Sequence, residues 1–515
     1  MISLRLSSAL AVALAVVSVV AANAATPHQL SLAKLDANSR QTFELAMGSM
    51  EGFWDPSEHL LRAPAVRGEH PAANRYMVRE TGWYAFGLLM RDAAPGDRQR
   101  AVDGLEAILK EQFPGDGKAW HGTFRRSPEE PTPSDAAAMW RTYDPNWREF
   151  IGTTFAMILI EFPDRIPADL AARMYESIDR AIEGEMQQGR LLPSYSNIAL
   201  MYGALWDFAA AHNHNEDWKR RSAKWIEDVA ALFHEHNSFF EYNSPTYYGV
   251  DLFGLALWRS YGTTPRIRQL GSQIEGVLWS DIAAFYHPGL RNIAGPYDRS
   301  YGMDMESYVA LTGVWMRMLL PEDKAPLPKI DAHTDHLSDL WFAPLFTVLG
   351  AHPPAAALRE IRSFPGERAV RRVITNERTA TAWIGDKAIY GGQITGLTKD
   401  APPDTQFHPA TVQWRTPSGG IGWFYVSQAP KIDAEASKSG IRITADGTLI
   451  LRIHTAGSGL SQVTANKWLL PGLTVTIDAD QQRFSIAQST LYETNDTLNL
   501  TYSNLHHMTL TITPQ

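Results

Sequence analysis

The pattern of apolar residues changes once along the chain, near residue 350, and this change is the strongest constraint on the fold. From about Leu30 to Gly350, apolar residues recur at three- and four-residue steps, which is typical of amphipathic helices. After Pro353 the segments are short, rich in β-branched residues and separated by Gly, Asn and Asp turns, which is typical of antiparallel strands. The sequence therefore predicts a helical region followed by a β domain.

Two kinds of helix are predicted in the first region. Segments 151–162 and 197–211 are apolar over most of their circumference, whereas 216–233 has one charged face. Such alternation is what an inner ring of helices wrapped by an outer ring requires. We therefore expect an (α/α) toroid of about six helix pairs over 25–350 and an antiparallel β-sandwich over 351–515.

The N-terminus has the pattern of an export signal. Residues 1–24 carry one Arg, an apolar stretch from Ala9 to Ala22 and the small-residue sequence Ala22-Asn23-Ala24. This pattern predicts a cleaved signal peptide over 1–24 and a periplasmic or secreted protein without a membrane span. Because the sequence contains no cysteine, it excludes disulfides, thiol chemistry and cysteine-ligated metals.

Composition also limits the partners. With 47 Lys and Arg against 56 Asp and Glu, the formal charge of −9 argues against nucleic acid. It does not argue against an acidic substrate, because arginines inside a cleft act locally while remote charge is screened over about 8 to 10 Å. Histidine pairs at 212–217 and 333–336 lie in predicted loops without a third ligand, so we expect neither a metal nor a cofactor.

Polar and aromatic residues are concentrated where four of the predicted helices begin. The four clusters are "YDPNWREFIG" (143–152), "SYSNIALM" (194–201), "EYNSPTYYG" (241–249) and "AGPYDRSYGMDM" (294–305). Helix capping accounts for one such cluster, because Asn, Ser and Asp compete with the helix for backbone hydrogen bonds. Four clusters, each with an aromatic residue, favour a shared ligand site at one end of the toroid.

The segment "NWREFIG" at 146–152 resembles the Asn-Trp-x-x-x-Ile-Gly segment of the toroid polysaccharide lyases of the hyaluronate and chondroitin AC lyase type. That family also places a helical toroid before antiparallel sheets. The resemblance implies three catalytic residues: an asparagine that neutralises a uronate carboxylate, a tyrosine that transfers the proton, and an arginine that supports the tyrosine. The corresponding residues are Asn197, Tyr248 and Arg299.

The family also has a histidine shortly before the tyrosine, and this chain departs from that pattern. Positions 239 and 240 are both Phe. Either His408 of the β domain takes the histidine's role, or the tyrosine acts alone as base and acid. We include His408 among the catalytic candidates.

The chemistry of β-elimination supports the same set. Removing the C5 proton of a 4-linked uronate requires donors that stabilise charge on the adjacent carboxylate, such as the amide of Asn197 and the guanidinium of Arg299. A tyrosine, with a pKa of about 10, must be acidified to act as base, and a neighbouring arginine would do this. Periodicity cannot separate Tyr247 from Tyr248, and Tyr248 is preferred because glycine follows it.

The remaining members of the four clusters are expected to contact substrate. They are Asn146, Trp147, Glu241, Asn243, Tyr247, Asp298 and Tyr301. The leading hypothesis is a lyase that cleaves an acidic, uronate-containing polysaccharide or oligosaccharide by β-elimination.

Two alternatives from other classes stay open. An inverting glycoside hydrolase would need two carboxylates roughly 6.5 to 9.5 Å apart, for which Glu241 with Asp304 or Asp144 with Glu241 are the candidate pairs. A non-catalytic glycan-binding protein would need only the aromatic side chains for stacking. The sequence leaves the oligomeric state open.

Overall fold

The computed structural model describes residues 31–65, 75–403, 405–457, 462–481, 483–489 and 497–515. The predicted signal peptide, 1–24, lies outside the described residues.

Helices dominate the first part of the described chain. They are α1 Ala37–Glu51, α2 Val78–Arg91, α3 Asp97–Lys110, α4 Trp147–Glu161, α5 Ala168–Gln188, α6 Ser196–His212, α7 Glu216–His236, α8 Tyr247–Tyr261, α9 Pro265–Phe285, α10 Leu311–Leu319, α11 Leu337–Leu340, α12 Ala343–Leu349 and α13 Ala355–Arg362. Among these, none is long and apolar enough to cross a membrane.

The helices form a closed ring of pairs. Consecutive helices pack as the pairs α2–α3, α4–α5, α6–α7 and α8–α9. The first members of these pairs also pack side by side, and α12 closes the ring by contacting both α8 and α2, with α1 and α10 beside it. The predicted toroid is confirmed, with four long pairs completed by shorter helices.

Burial explains the two kinds of helix. Helices α4 and α6 are buried on almost every face, whereas α7 buries a single stripe that includes Ile226, Val229 and Phe233. This spacing of three and four residues places the stripe on one side of a helix, and the charged residues cover the other side. The sequence interpretation of inner and outer helices is therefore confirmed for these elements.

The second part of the chain is a β region. Its strands are β6 Arg368–Val373, β7 Thr379–Ile384, β8 Ala388–Ile394, β9 Ala410–Arg415, β10 Ile421–Gln428, β11 Ile432–Ser437, β12 Gly440–His454, β13 Gln462–Val463, β14 Lys467–Leu470, β15 Leu473–Ala479, β16 Arg483–Gln488 and β17 Thr497–Pro514. Five short strands lie earlier, within the helical part: β1 Trp54–Asp55, β2 Leu60–Arg62, β3 Tyr76–Met77, β4 Tyr286–His287 and β5 Asn292–Ile293.

The strands β6–β17 form one antiparallel hydrogen-bonded network that folds into two layers. Across the sheet, neighbours run β13-β14-β15-β17-β12-β10-β9-β8-β7-β6, with β11 also on β12 and β16 also on β17. The first half of β12 pairs with β11 and its second half with β10, and the register shifts near Gly447, whose φ is 134°. Strand β11 pairs with β12 and also packs against β7 and β8. The network therefore closes into two layers, as in a β-sandwich.

The helical and β parts share a core and a polar seam. Buried residues of β6–β8, such as Val370, Ile384 and Ile389, belong to the same apolar cluster as the toroid helices. Tyr297 and His408 exchange backbone hydrogen bonds of 3.1 and 2.8 Å across the seam. The domain boundary near residue 350 stays a prediction. Helix α13 comes after this boundary and yet packs on α9, a helix of the first part.

Candidate functional site

A cavity of ≈ 300 Å³ lies where the inner helices begin. Arg79, Trp147, Asn197 and Tyr247, each within the first two residues of α2, α4, α6 or α8, line it. Asp339 of α11 and several loop residues complete the wall, among them Arg126, Trp140, Asp144, Asn146, Tyr195, Thr246, Arg299, Tyr301 and His336. Each of the four clusters singled out in the sequence contributes residues to this wall.

Tyr247 and Arg299 are in direct contact. The Arg299 Nη2 donates to the Tyr247 hydroxyl at 2.5 Å, and the guanidinium carbon lies 3.6 Å from the centre of the tyrosine ring. The same hydroxyl lies 2.5 Å from the hydroxyl of Tyr301. The phenol of Tyr247 is therefore held by two partners at the cavity wall.

Arg299 is itself anchored from both parts of the chain. Its Nη1 donates to Glu241 Oε1 at 2.5 Å, and its Nε donates to Gln406 Oε1 at 3.0 Å. The other oxygen of Glu241 accepts from Ser196 Oγ at 3.1 Å and from the amide of Asn197. Glu241 thus positions Arg299 and Asn197 and is not among the residues that line the cavity, and its contact with substrate stays a prediction.

Burial opposes the expected acidification of the phenol. It raises the pKa of Tyr247 well above its ordinary value, although the positive charge of Arg299 acts in the other direction. Partial removal from water in the cavity wall raises the pKa of Tyr301 as well. Both phenols therefore carry their protons at neutral pH, which suits a proton donor and not a base.

Tyr248, the tyrosine preferred from the sequence, does not line the cavity. Its side chain is 1 % exposed, its hydroxyl lies 3.5 Å from Asp281 Oδ2, and its ring packs edge-on against Tyr242. Successive residues of an α-helix point about 100° apart, so that Tyr247 and Tyr248 cannot face the same way. The tyrosine beside Arg299 is Tyr247 and not Tyr248.

His408 also lies away from the cavity, in the seam between the two parts. Its Nε2 is 3.4 Å from the Ser300 carbonyl oxygen, and its ring packs edge-on against Tyr425 at 4.6 Å. Burial lowers the pKa of His408 to about 4. The prediction that His408 serves as the base is not supported by this position.

Two further residues that were predicted to contact substrate, Asn243 and Asp298, bind other parts of the protein. Asn243 donates to the carbonyl oxygens of Ala294 and Pro296 at 2.7 and 2.9 Å. Asp298 is paired with Arg378 and with Lys399 Nζ, the latter at 2.9 Å. These side chains hold the loop that presents Arg299 and do not line the cavity, so their contact with substrate stays a prediction.

The other predicted residues do reach the cavity. Asn146 donates to the Tyr195 hydroxyl at 2.9 Å and accepts from Arg190 at 3.0 Å. Trp147 lines the wall although its side chain is 1 % exposed, and Tyr301 is 38 % exposed.

His336 is a site residue that the sequence reasoning missed. It lines the cavity, its ring stacks on Tyr301 at 4.3 Å with an interplanar angle of 19°, and its Nδ1 lies 3.8 Å from Asp339 Oδ2. Its φ of 56° is uncommon for a residue other than glycine and is often found at functional sites. The signal in the sequence is "HTDH" (333–336), a segment that its polar residues predict to be an exposed loop.

The sequence falls in a family defined without a function. The family model described as "Domain of unknown function (DUF8769)" matches residues 40–351. The chain belongs to the DUF8769 family. No curated protein matches its sequence.

Solved structures give distant matches to this DUF8769 protein. It resembles the chondroitin AC lyase of Streptomyces coelicolor A3 at 12% identity, over 92% of this chain and 79% of that one, with a TM-score of 0.46. It resembles heparinase III at 9% identity, over 94% and 86% of the chains, with a TM-score of 0.44. A Paenibacillus xanthan lyase matches at 10% identity over 92% of this chain and 57% of that one, with a TM-score of 0.41.

The cavity of this DUF8769 protein is suited to proton transfer next to an anion. Its wall holds the three phenols of Tyr195, Tyr247 and Tyr301, all with raised pKa values, one imidazole and the guanidinium groups of Arg79, Arg126 and Arg299. Among the described residues, no group of three or more His, Asp or Glu side chains is arranged to hold a metal ion.

Proposed function

We propose that the protein is an exported polysaccharide lyase that cleaves a uronate-containing glycan by β-elimination. The observation that carries the proposal is the Tyr247 hydroxyl, held at 2.5 Å by both Arg299 and Tyr301 in the wall of the cavity. Export is supported by the signal-like residues 1–24.

The residues of the wall supply each part of the step. His336 takes the C5 proton, the electrons of the C5–H bond form the C4–C5 double bond, and the bond from C4 to the leaving oxygen breaks. Tyr247 gives its proton to that oxygen as general acid. Proton exchange with solvent then resets His336 and Tyr247. No water is consumed, and the products are a new hydroxyl end and an unsaturated uronate end.

Two arrangements support these roles. Asp339 Oδ2 lies 3.8 Å from His336 Nδ1, where its negative charge would stabilise the imidazolium that forms when the ring takes the proton. Tyr301 lies between the imidazole, on which it stacks, and the phenol of Tyr247, with which it shares a hydrogen bond. The proposed acid and base therefore lie on either side of one aromatic side chain.

The carboxylate pairs considered for hydrolysis have other partners. Both oxygens of Glu241 accept hydrogen bonds, from Arg299 on one side and from Ser196 and Asn197 on the other. Asp304 accepts from Asn292 at 3.0 Å and from Ser307 at 2.6 Å. Glu241 therefore has a positioning role in either pair, which favours elimination over hydrolysis.

The test is an assay of the products. Purified protein is incubated with uronate polymers, and we expect ultraviolet absorbance from the new C4–C5 double bond to rise together with reducing ends. Reducing ends without the chromophore would show hydrolysis and contradict the proposal. Binding of polymers without any cleavage would support the glycan-binding alternative.

A further inference from the structure

Arg79 is a cation held rigidly in the cavity wall. It is the second residue of α2, and its side chain is 16% exposed. Its Nε and Nη2 donate to one oxygen of Glu80, at 2.9 and 2.5 Å, and Glu80 is fully buried. Within the described residues its third nitrogen, Nη1, donates no hydrogen bond to the protein, and it keeps two N–H groups for a ligand.

Aromatic rings surround the guanidinium of Arg79. Its central carbon lies 4.9 Å from the ring centre of Trp83, 5.2 Å from that of Trp147 and 4.9 Å from that of Phe150. Each distance falls within the cation–π range of about 6 Å. All three rings line the same cavity. They fix the cation in place and keep water from its faces, so that an anion would bind to an already ordered group.

Arg299 is less available to an anion. Each of its three guanidinium nitrogens already donates a hydrogen bond, to Gln406, to Glu241 and to Tyr247. Its visible task is to position the phenol. A substrate carboxylate therefore needs another cation close to the reacting groups, and Arg79 lines the same cavity as Tyr247, Tyr301 and His336.

We infer that Arg79 is the residue that binds the carboxylate of the substrate and selects uronates over neutral sugars in this cavity. The inference rests on the proposed function, from which the ligand is taken to be a glycan. It adds the side chain that recognises the negative charge of that glycan. Guanidinium binding would also withdraw charge from the carboxylate while the adjacent C5 proton leaves.

The variants are chosen so that folding does not decide the result. Arg79→Gln alone would take the arginine partner away from the buried carboxylate of Glu80, which is strongly destabilising. The double variant Arg79→Gln/Glu80→Gln removes both charges and keeps a hydrogen-bonding pair. Glu80→Gln alone retains the cation, which is tolerated better because the Arg79 side chain is 16% exposed and its guanidinium can still donate to the glutamine oxygen. Arg98→Gln removes an arginine that pairs with Asp92 on the surface and is 56% exposed.

The experiment is a binding titration that needs no turnover. Tryptophan fluorescence, to which Trp83 and Trp147 beside the guanidinium contribute, is followed as methyl glycosides are added. The probes are the glycosides of glucuronate, galacturonate, mannuronate and guluronate, each compared with its neutral hexose. Circular dichroism checks that every variant is folded.

We expect the wild type to bind at least one uronate about tenfold or more tighter than its neutral hexose, because charge-assisted hydrogen bonds are the stronger kind. Glu80→Gln and Arg98→Gln should keep this preference, and the double variant should lose it. A wild type without the preference, or a folded double variant that retains it, would overturn the inference. Loss of the preference in a protein that releases no unsaturated product would uphold the inference and refute only the proposed reaction.

Discussion

The Tyr247 phenol has an arginine partner and yet a raised pKa. Burial outweighs the guanidinium of Arg299, because the phenolate would lose its water on entering the wall of the cavity. The contact with Arg299 therefore aligns the hydroxyl and does not ionise it. This separates the two tasks expected of one tyrosine, and under the proposed function the base is His336.

The neighbouring tyrosines allow a matched test of this assignment. Tyr247→Phe removes the proposed acid, and we expect its kcat to fall by about 10²- to 10⁴-fold, the usual contribution of general acid catalysis. Tyr248→Phe removes a buried hydroxyl outside the cavity and should leave kcat essentially unchanged. Initial rates of unsaturated product formation measure both. The reverse result would return the role to Tyr248.

For single residues, the sequence predicted where the candidate site lies better than it predicted which residues form it. Asn197, Arg299 and Trp147 reach the cavity as members of polar clusters at helix starts. Which of two adjacent tyrosines faces inward depends on the phase of α8, and that phase is set by packing against distant helices. His336 follows from no local periodicity, because it reaches the cavity from a loop.

At the scale of elements, the beginning of α8 is fixed by its contact with α10. A Cβ atom on Gly249 would lie 2.5 Å from the backbone carbonyl carbon of Leu311 and 2.7 Å from the Thr312 nitrogen. The carbonyl oxygen of Gly249 also accepts from Trp315 Nε1 at 2.8 Å. The glycine after Tyr248 is therefore explained by helix packing as well as by the resemblance to the lyases.

Two glycine substitutions test this packing. Gly249→Ala should lower the free energy of unfolding by about 1 to 3 kcal/mol, because neither backbone can move freely. Gly48→Ala, in α1, meets no atom within 4 Å and should raise the free energy of unfolding by about 0.5 to 1 kcal/mol. Urea unfolding compares the two variants. A stable Gly249→Ala protein would show that α8 and α10 can separate.

Local sequence predicted the long helices and failed for the short ones near the site. The apolar spacing favours a helix over 304–319, but α10 begins only at Leu311. The Asp304 carboxylate accepts from the Glu306 nitrogen and the Ser307 hydroxyl and forms a turn that competes with the helix. The residues before Leu311 instead form a loop around Asn292, a long-range contact that no local pattern indicates.

At the scale of the whole molecule, His408 lies buried where the helical and β parts meet. Burial lowers its pKa from 6.5 to about 4 in the folded protein. Between these values the unfolded chain binds a proton that the folded protein does not. The free energy of unfolding therefore falls as the pH drops below 6.5, and the loss is complete near pH 4.

The His408→Gln variant isolates this contribution. The side chain of His408 should account for about 3 kcal/mol of the stability lost between pH 6.5 and pH 4. The variant should lack this share, so that its stability changes less with pH than that of the wild type. Chemical unfolding at both pH values measures the difference. Parallel curves for the two proteins would contradict the prediction.

The order of the two parts, helical and then β, could be predicted because each part has its own residue pattern. The way the two parts meet could not, because it depends on pairs such as Asp298 with Lys399 and Arg299 with Gln406, which are about a hundred residues apart. Such pairs form only after both parts have folded.

The hydrogen bond from Arg299 to Gln406 has a consequence for how this family is compared. The family model ends at residue 351, so relatives aligned over that region alone omit the partner that orients the guanidinium. A gene that kept the toroid and exchanged its C-terminal half would keep Glu241 but lose Gln406, one of the two side chains that anchor Arg299. Under the proposed function, activity should therefore be compared among relatives that share both halves of the gene.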